Sequence, residues 1–84
     1  MSYEGLIVDF LEDSIVVFLR PAELPVTGYI PINDLKDDVY ALDPETMTLK
    51  GRKIANLFHL NQRIKVKVKE VNTAIFFSYL STIE

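Results

Sequence analysis

Charged and β-branched residues alternate along residues 63–69, near the C-terminal end of the chain. The β-branched positions are Ile64, Val66 and Val68, and an arginine or a lysine occupies each position between and beside them. A period of two is typical of a β-strand with one apolar face and one charged face. We therefore predict a strand whose β-branched side chains are buried in a core and whose basic side chains are exposed.

A second strand-like run, residues 74–80, follows this strand after the polar pair Asn72-Thr73. Two such runs around a short polar turn predict a β-hairpin. An isolated hairpin is only marginally stable in water, so the rest of the chain must supply a sheet on which this hairpin packs.

Three more strands are predicted in the N-terminal half, at residues 3–11, 15–19 and 26–32. Alternation in the second strand places Ile15, Val17 and Leu19 on the inner face and Phe18 and Arg20 on the outer face. Ile30 is predicted to be buried in the third strand.

Turn and breaker residues organise the connections between these strands. Proline bounds the segment 21–25 at both ends, which predicts a loop there. The residues Asn33-Asp34-Leu35 predict a single helical turn that begins with an asparagine or aspartate cap. In the middle of the chain, a turn at residues 43–46 predicts a small extra hairpin. Residues 54–58 fit either a short helix or a strand.

The composition suits one small domain. The chain has 84 residues, of which 49% are hydrophobic, and it has no cysteine that could form a disulfide or a thiolate zinc site. Its apolar runs are far shorter than the roughly 18 residues that a membrane span needs. The N-terminus lacks the features of a signal peptide, so we expect a cytoplasmic protein that does not contact a membrane.

The charge is divided unevenly between the two halves of the chain. The net charge is −3, but residues 1–49 carry ten acids against two bases, whereas residues 50–84 carry seven bases against two acids. This asymmetry indicates a basic face in the second half. Lysines that protect a solvated strand edge from aggregation would give the same pattern.

Several short segments, in this order, resemble the S-one RNA-binding domain first described in ribosomal protein S-one. These segments are residues 5–7, 15–19, 28–35, 63–68 and 77–78. The resemblance covers nearly the whole chain, 1–84, and implies an all-β fold. The fold it implies is a five-stranded antiparallel oligonucleotide-binding (OB) barrel with a small hairpin inserted between strands three and four.

The inserted region narrows the resemblance to one subgroup. Residues 38–43, 49–52 and 58–63 are similar to the C-terminal S-one domain of the ribonuclease R and ribonuclease II exoribonucleases. This resemblance implies a domain, excised from a larger ribonuclease chain, that grips single-stranded RNA. We also expect the domain to be a monomer. Hydrolysis from 3′ to 5′ would occur at a magnesium site in another domain, and this chain itself would hold no cofactor.

Single-strand binding needs aromatic faces for bases and cations for phosphates. The candidate RNA-binding residues are Phe18, Arg20, Tyr29, Arg63, Lys65 and Lys67. Two simpler interpretations remain open: Phe18 and Tyr29 could pack under the 21–25 loop, and the basic residues could form a solvated face. The inserted aromatics Tyr40 and Phe58 are predicted to belong to a satellite core rather than to contact a ligand.

The chain also departs from the usual S-one pattern. Asp13 and Val16 occupy positions where the family often has aromatic residues, and Pro31 replaces a histidine. His59 and the pair Asp37-Asp38 do not form a set of metal ligands, and no catalytic motif is present. Two rival functions therefore remain: a barrel whose acidic half contacts a basic protein, and a stand-alone S-one protein acting in translation or transcription.

Overall fold

The computed structural model describes residues 1–19, 26–53 and 56–83, and most of these residues lie in β-strands. They contain the strands β1 (Tyr3–Phe10), β2 (Ser14–Leu19), β3 (Val26–Pro31), β4 (Tyr40–Asp43), β5 (Thr48–Gly51), β6 (Leu57–His59), β7 (Arg63–Val71) and β8 (Ile75–Thr82). A short 3₁₀ helix, Ile32–Asp34, follows β3. The predicted all-β fold class is confirmed.

Five of the strands form a closed barrel in the order β1-β2-β3-β8-β7, with β7 returning to β1. All neighbours in the barrel are antiparallel except β3 and β8, which run parallel where Tyr29 pairs with Phe76. The predicted five-stranded OB barrel is therefore confirmed, and one parallel contact completes a sheet that is otherwise antiparallel.

The alternation of the sequence places the apolar face of each strand in the barrel interior. Ile15, Val17, Ile30 and Val66 are fully buried, as predicted. Lys65 and Lys67 are exposed, also as predicted. In the part of the chain that the structure describes, no helix is long and apolar enough to cross a membrane.

Val68 contradicts the prediction that it is buried, because 43% of it is exposed. On one side, β1 pairs with β7 only from Arg63 to Val66, so β7 extends beyond the cover that β1 provides. On the other side, the register between β7 and β8 shifts directly after Val68. The alternation of apolar and basic residues continues past Val66, but β1 does not pair with β7 beyond Val66, so Val68 is left partly in solvent.

The inserted segment is a three-stranded sheet, β4-β5-β6, and is thus larger than the predicted small hairpin. Its third strand answers the question left open for residues 54–58: residues 57–59 form a strand, and residues 54–55 lie outside the described ranges. Phe58 is buried, and its ring packs edge-on against Tyr79 of β8 at 5.1 Å between centroids. The prediction of a core role for Phe58 agrees with this contact, which joins the insert to the barrel.

The helical turn after β3 lacks the predicted polar cap. The residue at its N-terminal cap is Pro31, and no side chain makes a capping hydrogen bond there. The carboxylate of Asp34 instead accepts a hydrogen bond from the Lys69 ammonium of β7. This ion pair connects the turn after β3 to a strand 35 residues further along the chain.

Candidate nucleic-acid interface

Half-buried aromatic rings lie on the outer face of β2 and β3. In the antiparallel register, Phe18 pairs with Thr27 and Val16 pairs with Tyr29. Paired residues of neighbouring strands share one face, so Phe18 and Tyr29 are diagonal neighbours on the outside of the barrel. Both side chains keep part of their surface in solvent. The sequence prediction that these two rings share a sheet face is therefore correct.

Phe76 of β8 extends this face and was missed by the sequence analysis. Its ring lies 6.2 Å from that of Tyr29, between centroids, with a tilt of 45° between the ring planes. The signal was present, because two consecutive phenylalanines in a strand must point to opposite faces. Phe77 is fully buried, and so Phe76 faces outward. We call Phe18, Tyr29 and Phe76 together the aromatic surface.

One hollow lies at the Phe18 end of the aromatic surface. Leu6 of β1 pairs with Phe18 on one side and with Arg63 of β7 on the other. These three residues, with Glu4 and Gly5, line a mostly apolar hollow of about 220 Å³. The fold thus brings together two predicted site residues, Phe18 and Arg63, that are 45 positions apart in the sequence.

A second hollow, of about 210 Å³, lies at the Phe76 end. It is lined by Phe76, Pro31, Lys69 and Glu70. The aromatic surface therefore has a cation at each end, Arg63 beside Phe18 and Lys69 beside Phe76. Sequence alternation alone did not distinguish Lys69 from the other basic residues of β7.

Two more of the predicted cations, Lys65 and Lys67, do not line either hollow. Lys65 pairs with Glu4 of β1 and with Ser81 of β8, and Lys67 pairs with Ser78 of β8. Ser78 is two positions from Phe76 on the same strand, so Lys67 lies nearer to the aromatic surface than Lys65 does. Arg20, and the 21–25 loop proposed to cover the rings, lie outside the described residues.

Asp37 and Asp38 form hydrogen bonds with other groups of the insert. The Asp38 carboxylate accepts hydrogen bonds from the backbone N–H groups of Val39, at 2.7 Å, and of Lys53, at 2.9 Å. The Tyr40 hydroxyl donates to Asp37 at 3.0 Å. Burial, the largest cause, raises the pKa of the Tyr40 phenol, and the charge of Asp37 also raises it. These contacts give Asp37 and Asp38 a structural role.

The described residues also lack a three-ligand metal site. Residues 1–19, 26–53 and 56–83 contain no cluster of three or more histidine, cysteine or carboxylate side chains that could hold a metal ion. His59 is exposed, and its Nδ1 atom lies 2.9 Å from the Leu60 carbonyl oxygen.

Comparison with known proteins gives the relatives of this barrel. No protein-family model matches the chain. Ribonuclease R of Vibrio parahaemolyticus is 35% identical over 69 residues, which is 82% of this chain and 8% of that protein. Ribonuclease R of Ureaplasma parvum is 40% identical over 50 residues, or 60% of this chain and 7% of that protein. The chain is similar to a small domain of ribonuclease R.

Solved structures of ribonuclease R agree with this assignment. Mycoplasma genitalium ribonuclease R in complex with ribose-methylated single-stranded RNA superimposes with a TM-score of 0.81. The match has 25% sequence identity and covers 95% of this chain and 13% of the solved chain. The predicted resemblance to an S-one domain of ribonuclease R is confirmed. The chain spans about 8% of the length of the ribonuclease R from V. parahaemolyticus.

Proposed function

We propose that this chain binds single-stranded RNA on the aromatic surface and supplies substrate grip to a ribonuclease R-like 3′-to-5′ exoribonuclease. The observation that carries the proposal is the row of three half-buried rings with a cation at each end. Support also comes from the similarity to ribonuclease R, one solved structure of which contains single-stranded RNA.

The chemistry of the surface suits single strands better than duplexes. Aromatic rings offer a face on which a base can stack whatever its identity, and Arg63 and Lys69 offer positive charge to the phosphates between bases. Bases of a duplex are already stacked on each other, so they are not available to such rings. We therefore expect duplex RNA to bind no more tightly than a single strand.

Bond cleavage belongs, in this proposal, to another part of a longer chain. This chain matches only 8% of the length of ribonuclease R from Vibrio parahaemolyticus, so in this proposal it holds RNA while a separate magnesium-dependent domain hydrolyses the strand. The same proposal includes a monomeric domain at the C-terminus of a cytoplasmic enzyme.

Removing the Phe18 ring tests the stacking role. Each lost stack removes roughly 1–3 kcal/mol per base, so Phe18→Ala is expected to weaken binding of oligo-uridine by at least about fivefold. Binding is measured at low salt by titration, with amide chemical shifts assigned to residues. Phe18→Tyr keeps the aromatic face and is the matched control, expected to bind as the wild type does.

The wild-type affinity is itself expected to be weak. The net charge of −3 opposes phosphate binding, and the positions of Asp13 and Val16 lack the aromatic residues usual in the family. The dissociation constant is therefore expected near the roughly 10⁻⁴–10⁻⁶ M range of non-specific nucleic-acid binding. If no resonance near Phe18, Tyr29 or Phe76 moves at millimolar RNA, this surface does not bind RNA and the rival role in protein contacts is favoured.

Reversing the charges of Lys65 and Lys67 tests whether β7 contacts phosphates. The double variant Lys65→Glu/Lys67→Glu is expected to weaken binding and to reduce the salt slope by about 0.7 for each lost phosphate contact. The control is Lys50→Glu/Lys53→Glu, which changes the net charge equally on exposed lysines of the insert. Equal losses in both double variants would mean that only net charge matters.

A further inference from the structure

Both cations that flank the aromatic surface contact a carboxylate of the same chain. The Nη1 atom of Arg63 lies 3.7 Å from the Oε2 atom of Glu4, beside Phe18. The Nζ atom of Lys69 forms an ion pair with the Oδ2 atom of Asp34, beside Phe76. The arrangement thus occurs twice, once at each end of the surface.

At the Phe18 end, the carboxylate stands where a phosphate would have to approach, whereas Asp34 does not line the hollow beside Phe76. Glu4 itself lines the hollow beside Phe18. A phosphate that nears Arg63 would be attracted by the guanidinium and repelled by the carboxylate at a similar distance. A paired cation therefore attracts RNA less than an unpaired cation in the same place.

We propose that Glu4 and Asp34 compete with RNA phosphates for Arg63 and Lys69 and thereby keep the affinity of the aromatic surface low. This inference rests on the proposed RNA-binding function and adds to it the two residues that limit binding.

The two pairs differ in how readily a phosphate can replace the carboxylate. The separation of 3.7 Å between Arg63 and Glu4 is too long for a good hydrogen bond, and both side chains are about half exposed, at 49% and 58%. Exposed ion pairs of this kind are weak. The Lys69–Asp34 pair includes a hydrogen bond, and only 29% of the Asp34 side chain is exposed. Glu4 is therefore the more easily displaced competitor.

The test removes each carboxylate charge with little change of shape. Asp34→Asn is expected to bind oligo-uridine about fivefold more tightly at low salt, the effect of one unit charge at about 4 Å in water. Glu4→Gln is expected to give a smaller gain, because the Arg63–Glu4 pair is longer and more exposed. Each variant should also raise the salt slope by about 0.7, because one more cation becomes available to phosphate. Glu45→Gln, on the exposed β4–β5 turn, removes the same charge from the insert and is the control.

A double variant separates direct competition from a general effect of charge. If Glu4 acts through Arg63, then Glu4→Gln should tighten binding in the wild type but not in an Arg63→Gln background. Equal tightening in both backgrounds, or a gain no larger than that of Glu45→Gln, would overturn this inference while the RNA-binding proposal stands. Absence of binding by the wild type and by every variant at millimolar RNA would overturn both.

Discussion

Replacing Val66 with lysine is expected to lower the free energy of unfolding by about 3 kcal/mol or more, enough to unfold much of a small domain. Val66 is fully buried in β7, where it pairs with Tyr3 of β1 and with Tyr79 of β8. A lysine there would place a charge in the barrel interior with no partner. Chemical denaturation followed by circular dichroism measures the loss.

Val68→Lys is the matched control, because it makes the same change two positions along the same strand. Val68 is 43% exposed, so the ammonium of a lysine at this position can reach water. The expected change in the free energy of unfolding is within about 0.5 kcal/mol. If Val68→Lys lowered the free energy of unfolding as much as Val66→Lys, position 68 would have to be buried in the barrel, which would contradict its exposure in this structure.

Replacing Gly28 with alanine is expected to cost about 1–3 kcal/mol, the usual range for overpacking a core. A Cβ atom at this position would lie 2.4 Å from Cε2 of Phe77 and 2.8 Å from the carbonyl oxygen of Ile75. The Phe77 ring is fully buried and has little room to move. The Ile75 oxygen belongs to the backbone of β8, so a change of rotamer does not remove that contact.

Two further variants test whether the cost of Gly28→Ala comes from its contact with Phe77. Thr27→Ala, at the exposed neighbouring position of β3, should leave the unfolding free energy within about 0.5 kcal/mol of the wild type. Phe77→Leu, which shortens the facing side chain, should make Gly28→Ala less costly in that background than in the wild type. A Gly28→Ala variant as stable as the wild type would contradict the close approach of β3 and β8.

The features that the sequence predicted correctly depend on neighbours within one strand. Alternation was enough to place Val17 inside the barrel and Lys67 outside it, because a strand sends successive side chains to opposite faces. The burial of Val68 was predicted wrongly because it depends on where β1 stops pairing with β7. That limit is set by contacts between residues about 60 positions apart, as in the Tyr3–Val66 pair, and local alternation carries no information about it.

The candidate site was predictable in its residue types but not in its arrangement. Phe18 and Tyr29 were predicted to share the outer face because they lie on consecutive strands, β2 and β3, which pair with each other. Phe76 joins them only through the parallel contact between β3 and β8, which the sequence did not reveal. The pairing of Lys69 with Asp34 was missed for the same reason, since 35 residues separate the two.

The parallel contact between β3 and β8 also bears on the order in which the barrel assembles. The β1-β2-β3 meander and the β7-β8 hairpin each use nearby residues, whereas the β3–β8 and β1–β7 seams join distant parts of the chain. Closing long loops costs entropy before the new contacts repay it, so folding rates fall as contacts become more distant in sequence. We therefore expect the two seams to form last, and the aromatic surface, which spans the β3–β8 seam, to be complete only when that seam has formed.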